Sequence, residues 1–191
     1  MQSFPEMGTI MKFAEEKDLD VNSKVMKERQ KASLGTGNLI KYIEDYFSPQ
    51  TDFRSIVVLS QIMQAFAIKS AVEIHRRNKP FCMGTLYWQF NDCWPAISWS
   101  SVDYFGNWKA LHYHAKRFFN EIIIVINEKE ERIHISVIND KHTKVKSRIH
   151  VQLLTFDGLM LHEKTFNYTI KKASSDVVYS FETKKYLKDR A

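Results

Sequence analysis

The chain has little cysteine: two residues, Cys82 and Cys93, in 191. They stand without a histidine partner at ligand spacing, which excludes a zinc site, and one pair is weak support for a disulfide framework. Free, half-buried thiols are the expectation. No apolar run approaches bilayer-spanning length, and residues 1–30 lack the charged-then-apolar order of a signal peptide. Internal repeats and low-complexity segments are absent. Acid is not scarce enough for a typical nucleic-acid binder, since 28 Lys and Arg face 22 Asp and Glu for a net charge of +6. The densest basic stretch, Lys141–His150 (KHTKVKSRIH), alternates with Val145 and Ile149, as the wet face of a strand does. Neither a nucleic-acid partner nor a membrane is therefore expected. With 44% hydrophobic and 26% charged residues, the composition is that of an ordinary globular protein.

What the chain does have is aromatic side chains gathered in one place. Gly84–Tyr113 (GTLYWQFNDCWPAISWSSVDYFGNWKALHY) holds all four tryptophans, Trp88, Trp94, Trp99 and Trp108, with Tyr87, Phe90, Tyr104, Phe105 and Tyr113. Such a window reads as a ligand-binding loop or as a large core, and a Trp flanked by Tyr87 and Phe90 is more often core.

Upstream, Pro5 and Gly8 mark a loop, and scattered apolar points over 11–31 allow a short helix or two. Leu39, Ile40, Ile43, Tyr46 and Phe47 fall at helical spacing, so 38–47 is read as a short amphipathic helix after a turn at Ser33–Gly37. The clearest helix runs over 52–77. Thr51 or Asp52 is its N-cap, and Ile56, Leu59, Ile62, Met63, Phe66, Ala67 and Ile74 form its stripe. His75, Arg76 and Arg77 suit its dipole at the end. Phe81–Phe90 reads as a strand buried on both faces, and Lys109–Phe119 as a further helix. Beyond Asn120 the texture changes: 122–126 is an apolar run, and the period drops to two around 133–137, 149–153, 166–170 and 177–181, which predicts an antiparallel sandwich. The fold class is thus α/β followed by all-β, with a boundary near residue 120.

Several segments carry a resemblance. LYWQFND (86–92), SWSS (98–101) and DYFGNWKALHYHAKRFF (103–119) resemble the β-mannosidase branch of glycoside hydrolase family 2. MQSFPEM at the start resembles the segment that follows the nucleophile in those enzymes. The resemblance implies that 1–120 is the C-terminal part of a (β/α)8 barrel, with Phe81–Phe90 as its eighth strand, and that 121–191 is part of an immunoglobulin-like β-sandwich. It implies a parent that removes terminal β-linked mannose by the retaining mechanism, which uses two carboxylates and no cofactor. Both carboxylates lie upstream of Met1 in that family, so no catalytic residue is assigned here. Glu6, Glu15, Glu16, Glu44 and Asp45 match no catalytic motif.

By the same analogy Trp88 forms the floor under the sugar at the cleavage point. Asn91 and Asp92 are read as a strand-ending turn or as part of the hydroxyl network, and Trp94 and Trp99 as cleft lining or rim. Trp108 and Tyr113 are assigned to packing. His112 and His114, two apart on a helix, point to different faces and share no metal. The implied partners are a β-mannoside substrate and the missing N-terminal part of the parent. The parent's relatives occur in periplasmic, secreted or lysosomal settings, and Asn167-Tyr168-Thr169 is a lone glycosylation sequon. The competing reading is a stand-alone carbohydrate-binding or protein-interaction module built on 84–113.

Overall fold

A computed structural model describes residues 1–50 and 52–187, with no account of the Leu187 side chain. Thr51, one of the two candidate caps, and 188–191 lie outside the described residues. The chain divides into two compact units, Met1–Val72 with Leu86–Phe118, and Glu73–Thr85 with the chain from Phe119 onward.

In the first unit, short helices α1 (Met7–Ile10), α2 (Lys24–Arg29) and α3 (Gly35–Glu44) precede the long α4 (Phe53–Arg77) and α5 (Ala110–Phe118). The start of α4 is set by Asp52, whose carboxylate accepts the Ser55 amide at 2.9 Å and the Ser55 hydroxyl at 2.8 Å. Phe53, Ile56, Val57 and Met63 pack against Phe4, Ile10, Met26, Leu39, Ile43 and Ile97. Further along α4, Ala65 and Val72 meet Leu111, Ala115 and Phe118 of α5.

The buried face of α4 is rotated from the one that periodicity suggests. Ile62, Phe66 and Ile74 are exposed, whereas Ser60, Gln61 and Gln64 are buried. Irregular chain packs on this helix, and its backbone groups need partners once water is gone. Ser60 Oγ accepts the Phe4 amide (3.0 Å), and Gln61 Oε1 accepts the Ala110 amide (3.0 Å). Gln64 Nε2 donates to the Trp99 carbonyl (3.0 Å), while its Oε1 accepts from Ser3 Oγ (2.8 Å). By length and composition alone α4 could also cross a bilayer, which a search for unbroken apolar runs overlooks. These three buried polar side chains mark it instead as a helix bonded into protein.

The predicted strand at 81–90 is not formed. Phe81 is 96% and Leu86 97% exposed, with Met83 and Phe90 also open. A strand is defined by a hydrogen-bonded neighbour, and among the described residues only Gln89 and Phe90, at the end of this segment, bond through the backbone to a distant stretch, 99–102, without forming a ladder. Only isolated bridges occur nearby, between Ser3 and Ser98, Gln30 and Ile97, Asn91 and Val102, and Val102 and Trp108.

In the second unit, β1 (Ile122–Lys129), β2 (Arg132–Asn139) and β5 (Ser174–Glu182) form one antiparallel sheet in the order β1-β2-β5. Strands β3 (Val145–Leu154) and β4 (Met160–Ile170) form a second. The β1–β2 turn places Glu130 and Glu131 at φ 52° and 60°, the handedness of tight hairpins. Ile135, Val137 and Phe181 from one sheet and Ile149, Val151 and Ile170 from the other share a core. Each such side chain contributes about 1.5–3 kcal/mol on burial. Arg76, read from sequence as a dipole cation, is buried and donates to the Asn120 carbonyl and Asp140 Oδ2, both at 2.8 Å. A short helix, α6 (Lys184–Leu187), follows β5.

Candidate functional site

Trp88 stands 72% exposed, on chain that is tightly held just beyond it. The Gln89 amide donates to the Trp99 carbonyl (3.1 Å), and the Ser101 amide donates to the Gln89 carbonyl (3.0 Å). The Val102 amide donates to the Phe90 carbonyl (2.9 Å). The Trp88–Gln89 peptide bond is cis. The Gln89 side chain donates to the Asn91 carbonyl (2.7 Å) and to Asp92 Oδ1 (3.2 Å).

Asp92 is the centre of this clamp. Only 4% exposed, it accepts the hydroxyls of Ser98 (2.8 Å) and Ser100 (2.6 Å) on Oδ2 and Lys31 Nζ (3.2 Å) on Oδ1. Beneath it lies Lys109, fully buried, with Nζ 3.4 Å from the Ser3 carbonyl, the Ser98 carbonyl and Ser100 Oγ. Burial drives the Lys109 pKa down to about 7, against the pull of Asp92, Asp103 and Glu6. Asp103, also buried, accepts from Thr9 Oγ1 (2.5 Å) and the Phe105 and Asn107 amides (3.0 and 2.9 Å). Its turn includes Gly106 at φ +86°, where a side chain would be strained.

The aromatics divide by surroundings. The exposed Phe90 ring lies 5.5 Å from His112, which lies 4.4 Å from Trp108, which in turn lies 5.1 Å from Tyr113. Ser101 Oγ donates to the Phe90 carbonyl (3.0 Å), so Tyr87 OH and His112 Nδ1 are the donors to it, at 2.9 and 3.0 Å. Burial lowers the His112 pKa, favouring the neutral ring. Trp94 covers the Arg29 guanidinium (5.2 Å), which also lies over Phe13 (4.8 Å). Trp99 is half-buried and lines a cavity of about 310 Å³ with Leu34, Tyr42 and Gln2. Asn91 is exposed and bridges Val102.

The window therefore offers open aromatic faces above a buried polar frame. Its two carboxylates, Asp92 and Asp103, are enclosed and hydrogen-bonded, in no position to act on a molecule in solvent. Among the described residues no His, Cys, Asp and Glu cluster could hold a metal ion, and both cysteines are free. Sequence reasoning missed Lys109, Ser98, Ser100 and Gln64. The signal available was the run of small hydroxyls at 98–101 inside an otherwise aromatic window.

Known proteins resemble this chain in sequence and fold. A β-mannosidase from Capra hircus is 33% identical over 202 aligned positions, covering 98% of this chain and 23% of that protein. The crystal structure of a β-D-mannosidase from Dictyoglomus thermophilum superposes with a TM-score of 0.90 at 34% identity, over 95% of this chain and 23% of the other. The chain belongs to the β-mannosidase family. It spans about a quarter of the length of these β-mannosidases. Residues 131–191 match the family model described as a mannosidase Ig/CBM-like domain, so the sandwich is the immunoglobulin-like domain of a β-mannosidase. A β-mannosidase B from Aspergillus terreus is 35% identical over 133 positions, covering 68% of this chain and 16% of its own length. An exo-chitosanase from Amycolatopsis orientalis, 16% identical with a TM-score of 0.78 over 95% of this chain and 22% of its own, shares the fold.

Proposed function

We propose that this chain supplies part of the sugar site of a retaining exo-β-mannosidase, with Trp88 as the floor on which the terminal mannose stacks. The observation that carries the reading is Trp88 itself, 72% exposed on clamped backbone in a chain that matches β-mannosidases along 98% of its length. A pyranose presents an apolar C–H face to an aromatic plane, and surrounding polar groups orient it. Residues 1–120 are the last part of a (β/α)8 catalytic barrel, and 121–191 are part of the sandwich that follows. The largely exposed 81–86 stretch supports this, because an apolar segment with no strand partner is what a barrel strand becomes without its neighbours. Asn91 is available to the sugar, and Trp94 and Trp99 form the rim, while Asp92 serves by holding Gln89.

The nucleophile and the acid/base carboxylates come from chain upstream of Met1, so the 191-residue polypeptide hydrolyses nothing alone. The test is turnover of an aryl β-D-mannoside by this chain and by the longer protein that contains it. Turnover only by the longer protein is expected. Hydrolysis by the isolated chain would refute the division of labour, and an inactive longer protein would refute the assignment.

A further inference from the structure

The outer face of β3 and β4 has no part in the reading above. Along β3 the side chains of Val145, Ile149 and Val151 enter the sandwich, and Lys146, Arg148, His150 and Gln152 point outward and are exposed. Across the ladder Lys146 stands opposite Thr169, Arg148 opposite Asn167, His150 opposite Thr165 and Gln152 opposite Glu163. Lys144, two residues earlier and also exposed, continues the row. Same-face neighbours on a strand are about 6.6 Å apart, a regular spacing of charge.

The row is not self-neutralised. Glu163 is engaged at one end, by His150 Nε2 (2.7 Å) and Gln152 Nε2 (3.3 Å). Lys144, Lys146 and Arg148 form no salt bridge among the described residues. Lys146, Ser147 and Arg148 line a depression of about 370 Å³ together with Asn167, Tyr168 and Thr169. Two outward cations there sit beside the Asn167 amide and the Thr169 hydroxyl, so the face offers groups that bind a charged substituent and groups that bind sugar hydroxyls.

We infer that this face binds a sulfated linear polysaccharide. The outward positions of both strands carry no Phe, Tyr or Trp side chain, so the broad stacking platform that single-stranded nucleic acid uses is missing. Regularly spaced cations on β3, faced across the ladder by Asn167 and Thr169 on β4, suit a chain bearing sulfates between hydroxylated rings.

The experiment is a fluorescence-anisotropy titration of the 191-residue chain with a labelled, sulfated heparin oligosaccharide. Its desulfated counterpart and a single-stranded DNA of equal charge are run beside it at about 0.15 M ionic strength, where distant charges are screened. Saturable binding is expected, at least about tenfold tighter than for either comparison ligand. Lys146→Glu with Arg148→Glu should weaken it by at least about tenfold, and Lys17→Glu with Lys24→Glu, an equal charge change at exposed sites elsewhere, should leave it within about twofold. Circular dichroism checks that both variants are folded. No binding, equal binding of DNA, or equal loss in the two double variants would overturn the inference.

Discussion

Lys109 makes the most specific prediction about stability. Its ammonium is sealed from solvent, and its pKa falls from an ordinary 10.5 to about 7 through burial, with Asp92, Asp103 and Glu6 opposing the fall. Between those values the unfolded chain holds a proton that the folded chain has released. Unfolding takes up that proton, so stability rises with pH across this window, by at most about 1.4 kcal/mol per pH unit. Over the whole interval the ceiling is about 5 kcal/mol, lying below pH 7 as a full penalty for the buried charge. Lys109→Met keeps the aliphatic stem and removes the charge. It orphans little, because the Ser3 and Ser98 carbonyls already accept each other's amides at 2.9 and 3.2 Å. All four tryptophans lie in the first unit, so urea unfolding followed by tryptophan fluorescence reports on this region. Between pH 7 and pH 9 the original chain should gain about 2–3 kcal/mol relative to Lys109→Met. Parallel stability curves for the two proteins would refute the reasoning.

Other positions give sharper yes-or-no outcomes. Asp92→Ala leaves the Ser98 and Ser100 hydroxyls and Lys31 without their acceptor and should cost about 3–5 kcal/mol in the same fluorescence assay, with Asp92→Asn milder; a loss below about 1 kcal/mol would deny it the central place in the clamp. Phe181→Ala, in the sandwich core among Tyr179, Tyr186 and His162, should cost about 3–5 kcal/mol. Faster amide exchange in β2 and β5 would register it, and unchanged exchange would count against the core described. Cys93 is exposed and Cys82 half-buried, so a maleimide should label Cys93 first in the folded chain. The reverse order would contradict the placement of the 81–93 segment.

The sandwich was the most legible part of the chain. Strand β3 is wet on one face, so Ile149, Val151 and Leu153 announce themselves by alternation, and the same period marks Ile133, Ile135 and Val137 in β2, although β2 is buried on both faces from Ile135 to Asn139. The existence and length of α4 were legible too, but its orientation was not. Apolar periodicity cannot know that Ser60, Gln61 and Gln64 are wanted inside as hydrogen-bond partners for irregular chain. Phe81–Phe90 misled for a different reason: its residues favour a strand, and strand formation depends on a neighbour that local sequence does not contain. In the aromatic window, crowding of tryptophan marked the place. It did not reveal the frame beneath, because a lysine opening an amphipathic helix reads as solvent-facing. Only the fold brings Lys109 under Ser98, Ser100 and Asp92.

Trp88 is proposed as the residue that touches the sugar. The most direct test is the steady-state hydrolysis of an aryl β-D-mannoside by the longer protein containing this sequence, compared with its Trp88→Ala and Trp88→Phe variants. Trp88 is largely exposed in this chain, so the substitutions should leave the fold intact by circular dichroism. A stacking floor predicts a loss in kcat/KM of at least about a hundredfold for Trp88→Ala, equivalent to about 2.7 kcal/mol, with partial recovery in Trp88→Phe. Activity of Trp88→Ala within about twofold of the original would contradict the account.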